Sequence, residues 1–192
     1  DIIKRDAIST TKEGDIITIG ETPLAIMQGR YIHPSNIKVT LLSRFLSSFF
    51  HPTSSLATAC GMQSLINQVG PTRVVLSWII GGSLKVLKLK GFFYRLAGSQ
   101  ARLIDDITGT TPPYDQNIVL GPYNPSEFCI KASRELGLKI AVVDVNDLGR
   151  VKILASSPGC NNNFLKKILV NNPAGNGDQR TPLVIVRCPQ VI

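Results

Sequence analysis

Asp144 stands directly after Ile140-Ala-Val-Val143, a run apolar enough to be a strand buried on both faces. In open α/β sheets, ligands gather beyond the carboxyl ends of parallel strands, so an acid at that point is a candidate for holding a metal or a polar ligand. Asn146 and Asp147 follow, and the three residues equally suit an Asx-type turn that closes the strand. A second candidate is Asp105-Asp106, because adjacent carboxylates repel unless a cation lies near them. A Mg²⁺ or Mn²⁺ held by these acids and by phosphate oxygens would suit the pair. The alternative has one acid paired with Arg102 and the other facing water. Gly29-Arg30 could offer backbone amides and a guanidinium to a phosphate or carboxylate.

Other reactive residue types are scattered. His33 and His51 each precede a proline and are assigned no catalytic role. Cys60, Cys129, Cys160 and Cys188 form no C-x-x-C pair, which argues against structural zinc and a redox dithiol. Reduced thiols fit a cytoplasmic setting, and the polar, mixed-charge stretch from Asp1 to Lys12 predicts no signal peptide. No G-x-S-x-G elbow, Walker A loop or G-x-G-x-x-G fingerprint is present.

The elements that must position these residues can be read along the chain. Asp15-Ile-Ile-Thr-Ile19 and Leu24-Ala-Ile-Met-Gln28 are expected as two strands around a Gly20-to-Pro23 turn. Helical patterning is expected from Ser54 to Val69, with Gly70-Pro71 as its stop, and again from Thr72 to Leu89. Asn117-Ile-Val-Leu120 reads as a strand, and Asn124-Pro125-Ser126-Glu127 opens a helix to about Leu136. Lys139-Ile-Ala-Val-Val143 then completes a β-α-β unit in the C-terminal half. A helix at Asn162 to Val170 and a strand at Pro182-Leu-Val-Ile-Val186 follow. The expected class is mixed α/β.

Length and charge narrow the functions. At 192 residues and 43% apolar content, the chain can bury its own core. Its net charge of +8 is uneven: nine Lys or Arg residues and no acid lie between Thr22 and Ile104. That stretch is either a solvated basic face or a site for anions, including nucleotide phosphates and acidic membranes. The most apolar run starts at Val74, but Arg73 and Lys85 bracket it too closely for a membrane span. A buried helix is the preferred reading, with an interfacial helix carrying Lys85, Lys88 and Lys90 as the alternative. Nucleic-acid binding is disfavoured by 6% aromatic content and the lack of a recognised motif.

Several segments together resemble a known family: Gly14-Asp-Ile-Ile-Thr-Ile-Gly20, Ala25-Ile-Met-Gln-Gly-Arg30, Ile140-Ala-Val-Val-Asp144 and Gly149-Arg150. They resemble the coenzyme F420-0:gamma-glutamyl ligase family. Phe93-Tyr-Arg-Leu-Ala-Gly98, Gln100-Ala-Arg-Leu-Ile-Asp-Asp-Ile-Thr-Gly-Thr110, Pro112-Pro-Tyr-Asp-Gln116, Val143-Asp-Val-Asn-Asp-Leu148 and Asn172-Pro-Ala-Gly-Asn176 are closer to a divergent bacterial, notably cyanobacterial, branch. The resemblance implies a single ligase-like domain over 1–192, with a basic, mainly helical segment at about 35–100, and often a homodimer. It also implies GTP, a divalent metal (Mn or Mg) and a small anionic substrate, with L-glutamate joined to a carboxylate acceptor through an acyl phosphate. Carried over by residue, Asp144 becomes a metal ligand, with Asp105, Asp106 or Asp115 taking the place of the family's second aspartate. Gly29, Arg30 and Arg150 become nucleotide or substrate contacts.

This sequence departs from that pattern at Gln28, at Ile107-Thr-Gly-Thr-Thr111 and in the stretched Asp144-to-Arg150 segment. A retained fold with altered chemistry is the reading those departures support. The competing expectation is a non-catalytic binding or scaffold protein at an anionic membrane surface or an acidic partner. The expected localisation is cytoplasmic, with the plastid stroma or the periphery of a membrane as the alternatives in a phototroph.

Overall fold

β-Branched residues fill Ile16–Gly20 and Lys139–Val145, and both segments are strands, where stiff side chains pack well on a pleated surface. The computed structural model describes residues 3–105, 113–175 and 181–188. In chain order its elements begin with β1 (Ile16–Gly20), α1 (Glu21–Met27), β2 (Tyr31–Ile32), α2 (Leu41–Ser47), α3 (Ala59–Val69) and α4 (Pro71–Val86). There follow α5 (Phe92–Ala97), α6 (Gln100–Leu103), β3 (Ile118–Val119), α7 (Pro125–Leu136), β4 (Lys139–Val145), β5 (Val151–Ser156), α8 (Asn162–Ile168) and β6 (Leu183–Val186).

The chain forms two compact units. The first joins Asp1–Leu24 to Tyr123–Ile192, and the second is Ala25–Pro122. Each has its own core.

The first unit is a mixed α/β layer structure. Its sheet has the order β5-β4-β1-β6, with β1 parallel to β4 and the outer pairs antiparallel. Side chains alternate across it with period two. Ile17, Ile19, Ile140 and Val142 meet Cys129 of α7 on one face, while Ile16, Ala141 and Val143 meet Leu165 of α8 on the other. Pro125 starts α7, and Gly137, at φ +66°, ends it in a left-handed cap.

Two expectations about this unit are corrected. The β-α-β unit was read as β3-α7-β4, yet β3 pairs with β2 in a separate two-stranded sheet, and the parallel partner of β4 is β1. The crossover therefore carries the whole second unit as an insertion ahead of α7. Leu24 to Gln28, read as a strand, lies in α1 and the turn after it. Glu21 sits in its first turn, and Pro23 lacks an N–H where the helix needs none. Gly29, at φ +69°, closes α1: its amide donates to Ile26 O and that of Arg30 to Ala25 O.

The second unit is helical apart from β2 and β3. Leu46, Leu56, Met62, Leu65, Val74 and Ile118 form its centre. Thr40 caps α2 in a capping box with Ser43, Thr58 caps α3, and Gly70 at φ +86° breaks α3 from α4. The preferred reading of a buried helix at Thr72 to Leu89 is corrected here. Only Val74, Ser77 and Gly81 of α4 are buried, while Ile79 is 50% and Val86 84% exposed. Among the described residues, no helix is long and apolar enough to cross a membrane.

This inside-out arrangement has a measurable signature. Truncating fully buried Ile19 to alanine should lower the unfolding free energy by about 2–5 kcal/mol, whereas Val86→Ala should change it by less than about 0.5 kcal/mol. Urea midpoints read both. Equal losses would mean that the outer face of α4 is covered.

Candidate functional site

Asp144 lies inside β4, one residue before its end, and not beyond it. β4 turns back into β5, so Asp144 faces Lys152 across an antiparallel ladder. The carboxyl is half-buried; loss of hydration pushes its pKa above the ordinary aspartate range, and the Lys152 ammonium pulls it partly back. The turn beyond is built by Asn146, whose side-chain oxygen accepts from the amides of Leu148 and Arg150 at 3.1 Å each. Gly149, at φ +72°, completes it. Asp147 accepts a 2.7 Å hydrogen bond from the Asn172 side-chain amide, and Arg150 is exposed.

Arg30 is engaged within the second unit. Its Nε donates to Gly121 O at 2.6 Å, and its Nη2 to the side-chain oxygens of Gln68 at 2.9 Å and Gln100 at 3.3 Å. Gln100 also accepts from the Gly121 amide at 3.1 Å. A side chain read as an anion contact thus ties together α3, α6 and the segment after β3. Gly29 serves the helix cap already described.

Asp115 is partly buried in the turn before β3, where the Asn117 amide donates to Tyr114 O. It belongs to the second unit and Asp144 to the first. Asp106 lies outside the described residues. Among the described residues, no three His, Cys, Asp or Glu side chains gather as a metal-ligand set, and Asp144 has a lysine opposite it.

A different feature dominates the second unit. Several large apolar residues of α2 and α4 point outward, while their buried positions include small residues such as Ser43, Ser47, Ser77 and Gly81. On α2, Ser43, Leu46 and Ser47 are buried, whereas Leu41 is 85% and Phe45 55% exposed. Trp78 packs edge-on against Phe45 and Phe49, joining the outer faces of the two helices. Beside it opens a groove of about 610 Å³, walled by Phe49, Phe50, Trp78, Ile79 and Phe93 and rimmed by Lys85 and Lys90. On the other flank of α4, Leu76, Ile80 and Leu96 line a second depression with Arg73 at its edge. Exposed apolar patches of this continuity mark interaction surfaces.

The exit of α4 adds a further sign. Lys88 adopts φ +64°, a left-handed conformation usually given to glycine, and closes the helix as its amide donates to Lys85 O and that of Leu89 to Leu84 O. Lys88 is exposed and holds a conformation that glycine adopts more easily. Sequence reasoning identified the lysines and held an interfacial helix only as its alternative reading. Hydropathy reports how apolar α4 is, and only packing decides which side is covered.

The raised pKa of Asp144 sets the sign of its pH effect. The native state holds its proton more tightly than the unfolded chain, so its ionisation weakens folding as pH rises from about 3.8 through the folded pKa. Asp144→Asn should therefore raise the urea midpoint at pH 7 relative to wild type. That gain should vanish below the unfolded pKa, and an equal gain at every pH would contradict the assignment. No protein-family model matches the chain, and no curated protein matches it.

Proposed function

We propose that the second unit is a peripheral membrane-association module that seats the outer faces of α2 and α4 in an anionic lipid surface. One observation carries this reading: large apolar side chains lie exposed on both helices, within a stretch holding nine basic residues and no acid. An interfacial helix gains from apolar burial at the headgroup boundary, and each nearby cation adds about 1 kcal/mol at an acidic surface. A partner that engaged only the cations would leave Leu41, Phe45, Ile79 and Val86 in water.

Flotation with phosphatidylserine vesicles tests the proposal. The chain should float with anionic vesicles, lose most binding in high salt, and bind at least about tenfold more weakly as Ile79→Asp. Lys88→Gly separates function from folding. It should stabilise the fold by up to about 1 kcal/mol by relieving the left-handed residue while weakening flotation. Failure to float with any anionic content would remove the proposal.

A ligase-like activity is the second reading, bringing with it a ligase-like fold, GTP, a divalent metal and a homodimer. Its support is the segment resemblance and the half-buried Asp144 beside Lys152. Calorimetry with GTP and Mn²⁺ checks it: binding heat that disappears in Asp144→Asn supports it, and no heat with the wild-type chain removes it.

A further inference from the structure

Gly81 and Gly82 sit together inside α4, where each glycine weakens a helix relative to alanine. Packing explains only the first. A Cβ on Gly81 would come within 2.7 Å of the Phe93 amide nitrogen, so α5 could not approach if the residue were larger. A Cβ on Gly82 would meet nothing within 4 Å, and Gly82 lines the groove between the aromatic walls. The glycine keeps that space open.

We propose that this groove receives one acyl chain of an anionic lipid, with the negative headgroup held at Lys85 and Lys90. This rests on the membrane-surface reading and adds to it a defined lipid site. The walls argue for an acyl chain over a peptide. Phe49, Phe50 and Phe93 provide no side-chain hydrogen-bonding groups, and the polar side chains that share the lining are engaged locally: Ser83 Oγ donates to Ile79 O at 2.9 Å, His51 Nδ1 is 2.9 Å from the Thr53 hydroxyl, and the Tyr94 hydroxyl is 3.2 Å from that of Ser54. A peptide backbone laid there would bury unsatisfied N–H and C=O groups, whereas an acyl chain has none to lose. The rim argues for an anionic headgroup. Lys85 and Lys90 stand at the mouth of the groove, and no acid lies between Thr22 and Ile104 to compete for them. The groove volume of about 610 Å³ is in the range of small-molecule sites.

Trp78 is the only tryptophan in the chain and lines the groove, so its fluorescence reports occupancy. The probe is bromine-labelled dodecanoate below its micelle concentration, with no vesicles present. Saturable one-to-one quenching of Trp78 is expected, with native mass spectrometry giving the stoichiometry. Gly82→Leu fills the groove with a better helix former and should weaken binding by about tenfold or more. Lys85→Gln with Lys90→Gln should weaken dodecanoate but leave uncharged dodecanol unaffected. Unsaturable quenching, or equal binding by the Gly82→Leu chain, would overturn the lipid site. Vesicle flotation, measured separately on the wild-type chain, keeps the two readings apart: floating without dodecanoate binding overturns the groove assignment alone, and dodecanoate binding without floating supports the groove while removing the surface reading.

Discussion

The contact between Gly81 and the backbone of Phe93 governs the second unit. It brings α4 and α5 as close as two helices can come at that point, because any side chain on Gly81 would collide with the Phe93 amide. With Val74 and Ser77, Gly81 forms the buried stripe of α4, and that stripe has little room for bulk. Val75 and Trp78 pack partly against the core, and Leu76, Ile79, Ile80 and Val86 are left on the outer side. Trp78, Ile79 and Ile80 then meet solvent or the exposed rings of α2, and the groove and its lysine rim follow. One close approach sets both the packing and the exposed face.

The first unit follows ordinary α/β logic. β1 and β4 lie side by side in parallel at the centre of the sheet, and each contributes branched residues to both faces. Cys129 shows how dry one face is: burial pushes its thiol up to about 11, so it stays protonated at neutral pH. Asp144 meets the edge of that environment. Its half-buried carboxyl has Lys152 opposite it on β5, an arrangement that balances charge within the hairpin.

Much of this was legible in the sequence. The apolar strands at β1, β4 and β6, the Pro125 start and Gly137 end of α7, and the Gly70-Pro71 break all carry local signals that tertiary packing reinforces. Three features could not be read that way. The run Leu24 to Gln28 is too short for period two to be told from period 3.6, and Pro23 with Glu21 tips it to a helix. Pairing of β1 with β4 spans more than a hundred residues of intervening chain, so neighbouring strands in sequence misled. Arg30 looked available for an anion because its acceptors, Gln68, Gln100 and Gly121, lie far along the chain. The site residues were thus easier to locate than their engagements.

Membrane association of the second unit requires the outer face of α4 to enter lipid. Trp78 fluorescence, recorded as anionic vesicles are added, tests this most directly, with lipids brominated at known depths as quenchers. A shift of emission to shorter wavelength, with strongest quenching by bromines just below the headgroups, is the predicted result. Unchanged emission with no quenching at saturating anionic lipid would contradict it.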